Sequence, residues 1–301
     1  MRRPGLRPWL YLAGAVLLWG SSFAATKTAM RSFSPMAVMW LRMVVASLVF
    51  LPFWRRVPRP DRRPGDARYL GLAVLFVPCL YYLFEGFAVR LTTSSQAAVV
   101  SAVMPLLVGA GAWVFLRERP AWQAVAGIVV SMAGVAVLSL GGAPQAAAPN
   151  PALGNVLELV AMVVAAGSTL VVKHLSARYD AWLLTGLQAL VGAGFFAAPA
   201  LVAGLPDLGS VPAVAWIAVL YLGTACSLGA FGLYNSALRL LPASRAALSI
   251  NLIPAVAMLA GWVLLGEALT PLQIAACAMI VGAVVFAEVA GRVPPEEQPV
   301  R

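Results

Sequence analysis

Charged side chains are scarce in this chain, at 11% of residues against about 25% in soluble domains. With 61% apolar residues, that deficit excludes a charge-covered globule and places the chain among polytopic membrane proteins. Histidine occurs once, as His174, and cysteine three times, as Cys79, Cys226 and Cys277. The cysteines lie inside apolar runs and show neither metal-site spacing nor a disulfide framework. There is no phosphate-binding glycine loop and no nucleophile with an obvious base. These absences argue against an enzyme, a resident metal and a cofactor. The formal charge of +10 is not carried on a soluble domain, so nucleic acid is not the expected partner. The cations fall in short segments between apolar runs, where they act as a topology signal.

What the chain has instead is length without charge. A bilayer core of about 30 Å needs about 20 apolar helical residues to cross it. Ten runs qualify: 9–29, 36–54, 69–89, 93–115, 122–140, 152–172, 181–203, 212–235, 243–265 and 271–290. They are continuous and not alternating, which favours helices over a β-barrel. The first run is too long for a signal peptide and no clear cleavage site follows, so it reads as a retained span. With the N-terminus inside, seventeen lysines and arginines lie on the inner side, three on the outer, and Arg42 within a span. That bias predicts ten transmembrane helices with both termini cytoplasmic.

The stretch 94–118 returns 149 residues later. Ser95, Ala97, Ala98, Pro105, Trp113, Val114, Leu116 and Glu118 meet identical residues at Ser244, Ala246, Ala247, Pro254, Trp262, Val263, Leu265 and Glu267. A fixed offset of half the chain means two copies of one unit. The chain divides into a first five-helix repeat (9–140), an uncharged linker (141–151) and a second repeat (152–290). Five spans per copy put the second into the membrane upside down, the geometry that permits alternating access.

Trp19-Gly20-Ser21-Ser22-Phe23, Ser34-Pro35, Arg42 and the two Pro-x12-Glu units (Pro105 to Glu118, Pro254 to Glu267) resemble the EamA-type branch of the drug/metabolite transporter superfamily. The resemblance covers about residues 9–290. It implies a multi-pass carrier of a bacterial cytoplasmic membrane, moving small metabolites, often exporting amino acids, through a cavity between the halves. A lipid or drug carrier, or a non-transporting membrane subunit, is the alternative. The second copy departs from the pattern: Ala166-Gly167-Ser168-Thr169 replaces the first motif, and Gln188 stands where the first copy has Arg42.

Pro105 and Pro254 lie near the middle of spans four and nine, where each frees a carbonyl four residues earlier, on Ser101 and Ile250. In lipid such groups need protein, hydroxyls or a wet cavity. The pair reads either as hinges or as packing kinks, with Ser101 and Asn251 at a polar cavity. Trp19, Tyr81, Tyr82 and Tyr234 lie within spans and either line that cavity or simply pack. Ser22 and Ser168, from the two motif copies, complete the substrate-binding candidates. Arg42, Lys27, Glu85 and Glu158 fall at one depth, the outer third of the membrane, and are expected to pair, because each alone in lipid costs several kcal/mol. They form either a proton-coupling or substrate-amine site, with Arg42 or Lys27 as the carboxylates' partner, or a static network fixing helix register. Charges of both signs suit a zwitterion. Ser94 is expected to cap span four, and spans five and ten, without mid-span charge, to be peripheral.

Overall fold

The computed structural model describes residues 6–58, 60–116, 122–140 and 146–290, and among them it is helical without a strand. The helices are α1 (Arg7–Ala29), α2 (Pro35–Phe50), α3 (Asp66–Leu91), α4 (Ser94–Ser101), α5 (Met104–Leu116), α6 (Trp122–Leu140), α7 (Pro151–Leu175), α8 (Ala181–Val202), α9 (Ala213–Leu240), α10 (Ala243–Leu248), α11 (Ile253–Leu265) and α12 (Pro271–Ala290). Seven segments of the described residues are long and apolar enough to cross a membrane; Val125–Gly134, Ser249–Leu265 and Ile274–Ala283 are shorter apolar stretches. Leu10, Leu17, Leu48, Ile217, Leu259 and other large apolar side chains face outward, as a lipid-facing surface requires. Trp9, Trp54, Trp122, Trp182 and Trp262, all near helix ends, are exposed.

Local chemistry sets the starts. Ser34 accepts from the Ala37 N–H with Pro35 next in line, Asn150 accepts from Leu153 N–H ahead of Pro151, and Asp180 accepts from Trp182 N–H. At α4 the cap is Thr93, which accepts from the Gln96 N–H at 3.2 Å, and not Ser94. Ser94 and Ser95 lie one step further in, where their N–H groups are among the first-turn donors without a helical acceptor.

Four interruptions shape the interior. A turn at Ala102-Val103 separates α4 from α5, and a 3₁₀ turn at Ser249–Leu252 separates α10 from α11. Pro105 and Pro254 therefore occupy the first turn of a new half-helix, where a missing N–H costs nothing, and not the middle of a kinked span. The other two interruptions are a wide turn in α3 at Leu75–Leu80, with Val77 non-helical (φ −126°, ψ 120°) ahead of Pro78, and a wide stretch in α9 at Leu222–Ala230. At the 149-residue offset, residues 75–80 fall on 224–229, inside the α9 stretch.

Packing is close where side chains vanish. A Cβ at Gly186 would lie 2.1 Å from the Phe50 ring, and one at Gly192 would lie 2.5 Å from Pro78 and 2.8 Å from Met43 Sδ, so α8 meets α2 and the broken turn of α3 directly. α1 lies against α11 and α9, and the second half of α3 against α7. α6 and α12 pack chiefly on each other, with Gly134 against Ile280.

This packing makes a prediction within one helix. Gly186→Ala places a methyl into the buried Phe50 ring and is expected to cost about 1–3 kcal/mol, whereas Gly194→Ala, with nothing within 4 Å among the described residues, is neutral or slightly stabilising. Thermal unfolding in detergent compares the two; equal melting temperatures would contradict the packing.

A central cavity beside a buried ion pair

Breaking a helix in an apolar bundle leaves a polar backbone group to be satisfied. In α3 the carbonyl of Ala73 would bond to Val77 in an α-helix or to residue 78 in a wider one, but Val77 has left the helix and Pro78 has no N–H. The amide of Gln188, from α8, donates to that carbonyl at 3.2 Å. The wide stretch of α9 is met from the other direction: Arg42, from α2, donates through Nε to Ser227 Oγ at 2.8 Å. Arg42 and Gln188, matched in sequence, thus each reach into the interrupted helix of the opposite half.

Arg42 is only 2% exposed, so the rest of its charge must also be met. Its guanidinium lies 4.2 Å from the Tyr82 ring centroid, and its Nη1 is 3.6 Å from Glu85 Oε2. The other carboxylate oxygen of Glu85 accepts from Tyr81 OH at 2.6 Å. Glu158, on α7, is fully buried within electrostatic reach of Glu85, and neither of its oxygens has a hydrogen-bond partner among the described residues. The cluster holds two carboxyl groups and one guanidinium. In a low-dielectric interior those three cannot all carry charge cheaply.

Glu85 opens onto a cavity of about 60 Å³, room for a few waters at about 10–15 Å³ each. Trp19, Ser22, Tyr81, Glu85, Ser101, Ser168 and Tyr234 line it. Tyr82 does not; it lies behind Glu85, beneath Arg42. Asn251 does not either: the 3₁₀ turn presents its neighbour Ile250 instead. Thr169, Asn235, Gln188, Phe231, Met104 and Met162 are further lining residues. Asn235 was legible in principle, since it follows Tyr234 on a span of mostly apolar residues. Trp19 Nε1 and Gln188 Oε1 are buried at this cavity without a hydrogen-bond partner among the described residues, Glu85 Oε2 has only its 3.6 Å ion pair with Arg42, and Tyr234 OH is turned to Thr169. One donor and one acceptor therefore await a ligand or water.

Lys27 was expected to pair with the buried carboxylates, and the structure places it elsewhere. Its ammonium donates to the carbonyls of Val89, at 2.8 Å, and Thr92, at the C-terminal end of α3. Lys173 does the same at the end of α9, to Leu238 at 2.6 Å and Leu241 at 2.8 Å. The acceptors are again 149 residues apart. Lysines near a helix C-terminus meet unpaired carbonyls there. Next to the first of these ends, Glu267 accepts four bonds from the start of α4: from Ser94 N at 2.9 Å, Ser94 Oγ at 2.8 Å, Ser95 N at 3.0 Å and Ser95 Oγ at 2.7 Å. Its repeat mate Glu118 lies outside the described residues.

The model of the EamA-like transporter family matches residues 7–140 and again 152–288. The chain belongs to that family. It is accordingly a transporter and not an enzyme. An uncharacterized transporter of Archaeoglobus fulgidus is 30% identical over 91% of this chain and 96% of its own length. A protein of Streptantibioticus cattleyicolor described as a probable terminal-alkyne amino-acid exporter is 26% identical over 90% of each chain. A solved structure 22% identical shares the fold, with a TM-score of 0.65 over 95% of this chain and 99% of that one.

The ion pair predicts non-additive mutational costs. Arg42→Met strands Glu85 and is expected to destabilise by about 3–5 kcal/mol, while Arg42→Met with Glu85→Gln removes both charges and recovers at least about 1 kcal/mol. Unfolding in mixed detergent micelles measures the cycle; additive losses would show that the pair is not coupled.

Proposed function

We propose that this EamA-family transporter exports small zwitterionic metabolites, amino acids foremost, by alternating access of two inverted five-helix halves. In this reading the chain crosses a bacterial cytoplasmic membrane ten times with both ends inside. The half-helix breaks before Pro105 and Pro254 serve as hinges, and 9–140 and 152–290 are the moving units. The observation that carries the reading is the cavity's unspent chemistry. Glu85, with the partnerless Glu158 buried within electrostatic reach of it, supplies the negative charge that an ammonium group seeks, and Trp19 Nε1 is a donor that a carboxylate would accept from. Arg42 is engaged with Glu85, Tyr82 and Ser227, so it sets the charge balance and leaves substrate contact to neutral donors.

Two carboxyl groups sharing one guanidinium also suit exchange. A proton taken up at Glu158 or Glu85 from one side neutralises the cluster as the substrate's ammonium departs, and the next substrate displaces it. That makes protons the coupling ion, and the amino-acid exporter among the relatives agrees with the substrate class.

Proteoliposomes holding the purified protein test this directly. Preloaded amino acids are expected to leave faster than sugars or nucleotides, and faster still with acid outside. Glu158→Gln is expected to abolish the response to the pH gradient while leaving residual downhill flux, and Glu85→Gln to reduce flux at least tenfold. Flux and pH response unchanged in both variants would defeat the coupling reading.

A further inference from the structure

A second recess lies where α2 ends, its Leu187 next in sequence to the cavity-lining Gln188. After Phe50 the chain closes a 3₁₀ turn at Leu51–Arg56 and then runs through Val57, Pro58 and Pro60 across the start of α8. Between this segment and α8 is a groove of about 690 Å³. One wall is apolar: Trp54, Leu70, Leu183 and Leu187, the two α8 leucines being one turn apart on a single face. At its rim stand Arg55 and Arg62, both exposed and neither in an ion pair among the described residues.

Of the two nearby acids, Asp61 adjoins Arg62 in the chain but makes no ion pair among the described residues, and Asp66 is taken. Asp66 is held by Arg178 at 2.6 Å, a bond that keeps the Arg178 guanidinium above its ordinary value. The Tyr179 ring, only 3% exposed, forms part of the groove's lining, and its hydroxyl is turned to the Asp66 carboxylate.

We infer that this groove binds one anionic phospholipid, its phosphate held by Arg55 and Arg62 and an acyl chain laid along Trp54, Leu183 and Leu187. The chemistry asks for an anionic acceptor at the rim and hydrocarbon beneath it, which a free phosphate does not provide. Trp54, 43% exposed, and Phe53, 50% exposed, stand at the same level, as residues of the membrane–water interface do. The arginine bias puts this end on the cytoplasmic side, and basic recesses between membrane helices there suit anionic head groups.

Native mass spectrometry of the full chain in detergent tests the site, with phosphatidylglycerol, phosphatidylcholine and inorganic phosphate as separate probes. One phosphatidylglycerol is expected to be retained per chain in preference to phosphatidylcholine. The double variant Arg55→Gln/Arg62→Gln is expected to lower that retention roughly tenfold. Arg62→Gln alone, at an exposed side chain, is expected to lower it several-fold and decides the matter if the double variant misfolds. Wild-type retention by a folded double variant or by Arg62→Gln would overturn the proposal. So would displacement of the lipid by millimolar inorganic phosphate, which would mark a soluble-anion site.

Discussion

The interior depends on one constraint: a helix interrupted inside a membrane must have its loose backbone and side-chain groups bonded by a neighbour. Here the neighbours come from opposite halves. Gln188 meets the Ala73 carbonyl where Val77 and Pro78 interrupt α3, and Arg42 meets Ser227 in the wide stretch of α9. Each bond ties the α2-type helix of one half to the interrupted helix of the other. The asymmetry between them decides the chemistry. Glutamine is neutral and needs no counter-charge, whereas a buried guanidinium requires one, which Glu85 provides, with the Tyr82 ring against its face. The cavity's charge follows from filling one of two equivalent positions with arginine.

The ends of the bundle are held by a different kind of bond. Lys27 and Lys173 fasten the C-terminal ends of α3 and α9, and Glu267 from the second half grips the first turn of α4 in the first. Gly261 is part of that grip, since a Cβ there would meet Ser95 Oγ at 2.7 Å and Glu267 at 2.8 Å. A carboxylate at a helix N-terminus gains from the helix dipole and from charge-assisted bonds. Any movement that draws α11 away from α4 must release all four of these contacts at once, which suits a closure that is either made or broken.

Much of this was legible in the sequence because lipid allows few alternatives. Apolar runs must be helical, and the 149-residue repeat is a matter of identity between residues. Arg42, Glu85 and Glu158 drew attention because charges inside spans are costly. What could not be read was rotation about each helix axis. Depth alone set Lys27 beside the carboxylates, but its side chain leaves α1 toward the end of α3. Tyr82 and Tyr81 are adjacent in sequence and face different partners, one beneath Arg42 and one onto the cavity. Pro78 passed as one more proline in an apolar run, although the α3 interruption lies at that residue, whereas Pro105 and Pro254 stood out by repetition and turn out to begin half-helices. Thr93, not Ser94, caps α4 because the serines are taken by Glu267, a contact 173 residues away that no local pattern reveals.

The central claim is that one cavity serves both sides of the membrane in turn. The direct test is chemical access to Ser168, which lines the cavity from α7. In a background with Cys79, Cys226 and Cys277 replaced, Ser168→Cys would be treated with a membrane-impermeant thiol reagent, applied separately to right-side-out and inverted vesicles. Alternating access predicts modification from both faces, slowed by transported substrate. Modification from one face only, whatever the substrate or pH, would contradict it.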